Sequence, residues 1–556
     1  MRRIKHLRQQ SVRVLSAVLA ALFVILAAVR AQASTYVVYI PLDSPIYDEL
    51  DTLNGLGMLD SYLPEIKPIS RVEAARLTAE AGAKFSQSPN TNPLVRKIIS
   101  SLREQLAEEI GWVENDQEDG LPTMIHPVQR AELSYVYSNG RRTDLHNPSE
   151  GISYQEGTPL LPYNNDLPTV SGNNEAARWS GWMGVGSFIT GYGEGAIAGG
   201  LSHDPRILSR TQLITGAVVA DFGNVAVSFG QEEMDWGVGQ FGQLSQTNNA
   251  LPFPALRAQN VHPGHLPGIL RYLGLFRWQA FFGQLDSGRQ FSKPWMDGQI
   301  LSFKPLPSFE WGVTHNIMFG GVGNNNYNAL GFLGRATGFD TGNPTGANTN
   351  SRLSVYLKYT LQKFRMTQFY FEDLGEDFFQ PFGKSIPIKT PFKSPSYIAG
   401  IYVPEVTADG LTTARFEWTK TDQNYSTHSD SLYWTYDNRL MGDALGPGAW
   451  QVNFAVGRWF NYRTKLDLDA FYTIRNPHGL LGVPSPRNNE QTFGATLDFL
   501  NLPFEMHTVV DSLAEIKGRA GIAYVSDLNY TNGHTLQGIF QLTLGVTPAW
   551  PSIVWH

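Results

Sequence analysis

The chain has 556 residues, no cysteine, 17% charged residues and a formal net charge of −7. Without cysteine, disulfides, thiolate metal sites and a cysteine nucleophile are excluded, and an acidic chain is a poor general partner for nucleic acid. Glycine and aromatic residues are abundant at the expense of charge, and the lack of thiols suits an envelope protein that crosses an oxidising compartment unfolded.

The first fifteen residues hold Arg2, Arg3, Lys5, Arg8 and Arg13 and no acid; Ser16 to Val29 is almost wholly apolar, and Ala31-Gln-Ala33 has the spacing of a signal-peptidase site. Residues 1–33 therefore read as a secretory signal peptide, with an apolar run too short to span a bilayer comfortably. Its removal takes away six cations and no anion, moving the formal charge from −7 to −13. No later apolar run reaches about 18 residues, so residence in a membrane would require a closed β-barrel.

Residues 34–120 have helical periodicity and are expected to form a small bundle. Pro45 to Leu53 places Ile46, Leu50 and Leu53 on one face, and Gly55-Leu-Gly57 ends it. Ser70-Arg-Val-Glu73 is a capping box that predicts a helix start at Arg71, with serine and glutamate satisfying each other's backbone amides. A third helix starts after Pro93, with Leu94, Ile98, Leu102 and Leu106 in register and Gly111 as its stop. Three such helices are too lean for a core of their own and are expected to dock on the C-terminal remainder of the chain.

From about Val128 the period changes to two. Ala131, Leu133, Tyr135 and Tyr137 alternate with Arg130, Glu132 and Ser134; Leu353 to Tyr359, Phe309 to Thr314, Ala414 to Thr419, Trp450 to Gly457 and Leu466 to Tyr472 repeat the theme. A water-soluble sandwich shares this alternation. Aromatic strand ends, the export signal, and tight turns (Lys304 to Ser308, Phe222 to Asn224) set against long loops (Gly320 to Asn350) favour an all-β transmembrane outer-membrane barrel over residues 121–556, of about 18 antiparallel strands.

Gly237-Val-Gly-Gln-Phe-Gly242 is a literal G-x-G-x-x-G. A dinucleotide fingerprint needs a helix opening within it, and the stretch after Gly242 carries Asn248, Asn249, Pro252 and Pro254, which a helix would not choose. The plain reading is that these glycines permit sharp turns inside a barrel. Their neighbours suggest more: Glu232, Glu233, Asp235, Trp236, Asn248 and Asn249 place carboxylates and amides beside an indole, which suits sugar hydroxyls and the C–H face of a pyranose. Phe371 to Phe379 repeats these residue types. The twelve histidines show no repeated metal spacing, so neither metal nor cofactor is expected.

Gly230-x-Glu-Glu-x-x-Trp-Gly-x-Gly239, Ser245 to Asn249 and Pro252-Phe-Pro254 together resemble the signature region of the capsule-assembly Wzi family of outer-membrane proteins. Phe281 to Leu285, Gln299 to Pro305 and Tyr436 to Ala449 are similar to further segments of that family, and the resemblance runs over nearly the whole mature chain. Asp235 and Val238 stand where the family pattern carries a second tryptophan and a proline. The resemblance implies a barrel of about 18 strands with a periplasmic helical bundle, seated as a monomer in outer-membrane lipid. It would act as a lectin-like protein that attaches capsular or extracellular polysaccharide, with no cofactor and no catalytic residue. The alternative is a passive porin. A hydrolase using Glu232 with Glu233 or Asp235 as its carboxyl pair is a third reading, and Ser202-His203-Asp204 is too contiguous to form a catalytic relay.

Overall fold

Between Thr123 and Pro548 the two-residue alternation resolves, in this computed structural model, into an antiparallel meander of 18 long strands that closes into a barrel. The structure describes residues 35–87, 92–115, 121–139, 143–147, 152–156, 158–324 (without 166, 168, 170 and 203–208), 349–376, 395–426, 432–476, 488–507, 511–548 (without 531) and 553–555. The expected signal peptide 1–33, His203, Asp204, Asp377 to Phe379 and most of the loop Gly320 to Asn350 lie outside these residues.

The strands are β1 Thr123–Ser138, β2 Gly172–Val185, β3 Ile189–Ser202, β4 Ser209–Asp221, β5 Val225–Gln231, β6 Pro254–Asn260, β7 Leu275–Gln284, β8 Trp295–Leu306 and β9 Phe309–Phe319. They continue as β10 Thr349–Leu361, β11 Thr367–Glu376, β12 Ser396–Val403, β13 Thr412–Lys420, β14 Ala449–Phe460, β15 Thr464–Arg475, β16 Glu490–His507, β17 Asp511–Ser526 and β18 His534–Pro548. Closure comes from β1, whose Ala131 faces Trp179 of β2 on one side and Val546 of β18 on the other. After β18 the chain returns to the same edge at Ile553–Trp555, pairing Trp555 with Thr123. Among the described residues each of the 18 strands is paired on both sides, which is what lets a sheet sit in lipid.

The alternation separates the two faces as the sequence predicts. Leu133, Tyr135 and Tyr137 point outward and are exposed, whereas Glu132 is buried inside. Leu357 and Tyr359 are exposed while Ser354, Tyr356 and Lys358 are buried; Phe416 and Trp418 are exposed while Glu417 and Thr419 are buried. The tight turns at 222–224 and 307–308 lie at one end of the barrel, and the long loops lie at the other.

The N-terminal residues occupy the short-turn end and then enter the lumen. Helix α1 (Pro45–Gly55) starts at Ser44, whose side chain accepts from the Ile46 amide at 3.4 Å. Helix α2 (Arg71–Gln87) starts where expected, with Ser70 Oγ accepting from the Glu73 amide at 3.1 Å. The reciprocal half of the capping box differs from expectation: the Glu73 carboxylate instead takes Arg76 at 2.8 Å and His262 of the barrel at 2.5 Å. A charged partner offers more than a backbone amide. The expected third helix is two, α3 (Pro93–Gln105) and α4 (Ala107–Glu114), broken at Leu106; Gly111 sits inside α4 and stops nothing. Leu50, Leu77, Ile98, Leu102 and Leu106 share one buried cluster with Trp459, Leu500 and Leu502 of the barrel wall. The helices thus complete their core with barrel residues, as their small size requires.

Between the helices, residues 62–67 cross the lumen. Lys304 Nζ donates to the Tyr62 carbonyl at 3.2 Å and Arg277 to the Leu63 carbonyl at 3.1 Å. Glu65 binds Lys358 at 2.5 Å, and Lys358 and Lys304 share Glu310 at 2.7 and 3.0 Å. Two carboxylates and two ammonium groups compensate one another in a buried ladder, the arrangement that makes ionised groups tolerable away from water.

Candidate functional site

The loop from Glu232 to Phe253, between β5 and β6, folds back into the barrel instead of leaving it. Asp235–Trp236 pairs as a two-residue ribbon with Ile66–Lys67, joining the loop to the crossing N-terminal segment. All six residues singled out from sequence belong to this plug, but they face different surroundings.

Glu232 is buried and saturated: Arg257 lies 2.6 Å from it, and Tyr192 and Ser228 donate their hydroxyls to it. Glu233 is buried too, accepting from the Leu42 amide at 3.0 Å and Asn165 Nδ2 at 2.7 Å. Burial first, then repulsion from Glu194 and Asp43, pushes its carboxyl up to about 7 against the pull of those two donors. Trp236 has no exposed surface; its Nε1 donates to Gln279 Oε1 at 2.5 Å and its ring tilts on Phe281 at 5.3 Å. Asn249 donates to the Leu440 carbonyl at 3.0 Å. These four hold the plug to the wall and to neighbouring loops.

Asp235 and Asn248 differ: both line a lumen cavity of about 630 Å³, a volume within the usual range for ligand sites. Burial pushes the Asp235 carboxyl up to about 6, against the pull of Lys67 and of Gln243, whose Nε2 lies 3.3 Å away. The opposite wall of the cavity comes from β13 to β18 and supplies Arg415, Gln451, Asn453, Asp498, Arg519 and Gln541. Arg519 is tied to Asp498 at 2.5 Å, while Arg415 lies over the Tyr402 ring at 4.1 Å.

The tip of the plug is the glycine run itself. Gly237 adopts a φ of 141°, and a side chain there would collide with Gln243 and Glu372, so only glycine fits. Gln243 closes the turn, accepting from the Gly239 amide at 2.9 Å and donating to the Gly239 carbonyl at 2.7 Å. Glu417 of β13 then accepts from the amides of Gln240 and Phe241 at 2.8 and 3.2 Å. With its backbone clamped, the tip presents exposed Gln240 and half-buried Phe241, and Phe241 lines the cavity. Sequence reasoning chose Trp236 as the aromatic plate and missed Phe241, five positions on. The available signal was the glycine run, because the two residues between its last two glycines, Gln240 and Phe241, are the ones a tight turn pushes outward.

A family model for capsule assembly protein Wzi matches residues 145–536. The chain belongs to that family. Among solved structures it is similar to Wzi of Escherichia coli, an outer-membrane protein involved in group 1 capsule assembly and a carbohydrate-binding β-barrel. The TM-score is 0.62 at 14% identity, over 92% of this chain and 99% of that one. OprD of Pseudomonas aeruginosa (TM-score 0.42, 10% identity, 78% of this chain and 96% of that one) and OccAB1 of Acinetobacter baumannii (0.42, 10%, 77% and 97%) are more distant. No curated protein matches the sequence. Family and barrel together place the chain in the Gram-negative outer membrane. At the two positions where it departs from the Wzi pattern, Asp235 borders the cavity and Val238 packs with the apolar residues beneath the tip.

Proposed function

We propose that this member of the Wzi family holds capsular or extracellular polysaccharide at the cell surface, and that the lumen cavity beside Phe241 is where a sugar unit seats. The N-terminal 33 residues direct export, and the short-turn end with its helices faces the periplasm, as in other outer-membrane barrels. Phe241 supplies a plate for the C–H face of a pyranose, and Asp235, Asn248, Gln451 and Asn453 supply acceptors and donors for its hydroxyls. Glu232, Glu233, Trp236 and Asn249 hold the plug in the shape that presents this tip. The observation that carries the reading is the clamped, half-exposed phenylalanine in a polar cavity of a family linked to capsule assembly. No catalytic step is assigned. Glu232, which a hydrolase would pair with Glu233 or Asp235, is held by Arg257, Tyr192 and Ser228 of the wall, and Glu233 accepts from the Leu42 amide and Asn165.

The test is affinity for surface polysaccharide extracted from the source cells, measured on the purified protein in detergent. Phe241→Ala removes a contact of about 0.5–1.5 kcal/mol, a loss of about two- to tenfold in affinity, while heat-modifiable migration on a gel stays normal. Unchanged affinity would move the sugar contact to the long loops. The porin reading is tested separately in a planar bilayer, where a plug fixed at so many points predicts a nearly silent protein and a large steady current would favour a pore.

A further inference from the structure

Among the described short-turn connections, residues 261–274 between β6 and β7 form the longest. The base of this connection is rigid. His262 donates its amide to Asn224 Oδ1 at 2.7 Å, Asn224 Nδ2 returns a bond to the His262 carbonyl at 2.9 Å, and the His262 ring meets Glu73 of α2 at 2.5 Å. Gly264–His265 extends the ladder of β7. Gly268 and Gly274, with φ of 65° and 82°, open and follow a six-residue 3-10 segment, Gly268–Leu273, that lies against β8.

That turn buries none of its residues. Ile269 is 82% exposed, Tyr272 72% and Leu270 47%. Three large apolar side chains held in water on a fixed backbone are costly, at roughly 25 cal/mol per Å² of apolar surface. From Val261 to Gly274 there is no acidic residue, in a chain whose net charge is −7. Arg271, exposed, lies over the Tyr272 ring at 5.2 Å. The turn also adjoins the outward side of the wall at the rim, where the buried Phe276 and Phe303 and the half-buried Trp311 stack in a row across β7, β8 and β9 at 5.1 and 4.6 Å.

We propose that residues 266–273 are a membrane foot: Ile269, Leu270 and Tyr272 lie in the headgroup–acyl boundary of the leaflet at the short-turn end, and Arg271 sits on phospholipid phosphate. The chemistry is that of an interfacial segment, with apolar side chains in the boundary, an amphipathic tyrosine at its level and a cation reaching to anionic headgroups. Continuity with the lipid-facing wall selects lipid over a protein partner. Through His262 the foot also fixes α2 relative to the bilayer.

Because the chain has no cysteine, single reporters test this directly. Ile269→Cys, Leu270→Cys and Tyr272→Cys, with Ser100→Cys on the exposed face of α3 as the water reference, are each labelled with an environment-sensitive fluorophore. The full mature chain is placed in nanodiscs of phosphatidylethanolamine and phosphatidylglycerol, and heat-modifiable migration is checked for each. The three foot positions should emit at shorter wavelength than position 100, be quenched severalfold more by a headgroup-proximal nitroxide lipid, and be quenched severalfold less by iodide. If iodide reaches all three as freely as position 100, the turn faces water or awaits a protein, and the proposal is wrong. Polysaccharide affinity is not involved in either outcome, so the two proposals fail independently.

Discussion

The two halves of the barrel lumen obey the same alternation and end up unlike each other. Along β7 to β10 the inward residues Phe281, Ile300, Met318 and Tyr356 join Ile66, Trp236 and Trp434 in a buried apolar cluster, with the Glu65–Lys358–Glu310–Lys304 ladder beside it. Along β15 to β18 the inward residues are Asp467, Asp469, Asp498, Arg519, Gln541 and Thr543, and the lumen there is the 630 Å³ cavity. Close packing needs apolar side chains of matching volume, whereas charged and amide side chains keep their hydration and hold a space open. One wall binds the plug and the other leaves room beside it.

That contrast should be breakable at four points of decreasing size. In the packed half, Lys358→Met leaves Glu65 without a cation, while Glu310 keeps Lys304 at 3.0 Å, and should cost about 3–5 kcal/mol, read as a lower denaturant midpoint for loss of heat-modifiable migration. Trp236→Ala should cost a similar or slightly smaller amount, about 3–5 kcal/mol in a core that cannot collapse, and should open the 235–250 loop to protease. A midpoint unchanged in both would mean the plug contributes nothing to the barrel.

The third point is pH. Glu233 has a carboxyl raised from 4.5 to about 7, so the folded plug binds that proton more tightly than the unfolded chain. Its contribution is present below about 4.5 and is lost as pH rises through about 7. Plug stability, followed by protease sensitivity of the 235–250 loop, should therefore be higher at pH 5 than at pH 8, and Glu233→Gln should flatten that slope. Glu73 acts in the opposite sense, since Arg76 and His262 draw it down to about 2 despite its burial. Its contribution fades only as pH falls from about 4.5 towards 2, outside this window. A slope rising towards pH 8 would show that the buried acids of the plug are better compensated than their surroundings indicate.

The smallest effect belongs to the hollow half. Gln541→Ala removes a cavity-lining amide whose described bond is 3.4 Å to Thr543, and should shift stability by no more than about 0.5 kcal/mol. A larger loss would mean that the cavity wall is under load.

Much of this architecture was legible in the residues. The change from helical period to period two near Val128 marked the strand-built region, and Leu133, Tyr135 and Tyr137 against Glu132 separated two faces, of which the structure turns the apolar one outward. Ser70 located the start of α2. The break at Leu106 was not legible, because Leu94, Ile98, Leu102 and Leu106 continue one apolar stripe and the stripe carries no sign of a kink. At the candidate site, the acids, amides and indole between Glu232 and Asn249 all fall in the one inward-folded loop. Which of them meet open space was not apparent, since four of the six are turned towards the wall and plug.

By itself the sequence determined that this chain is strand-built with one apolar and one polar face per strand, and that short amphipathic helices precede the strands. These conclusions rest on local spacing, because a side chain's face in a strand or helix depends only on its position in the repeat. Only the tertiary structure decided that the Glu232 to Phe253 loop turns inward, that Trp236 is sealed against Gln279, Phe281 and Ile66, and that Phe241 is left half-exposed at the tip. The burial of a loop residue is set by partners that lie far along the chain, and no local period records where those partners will be.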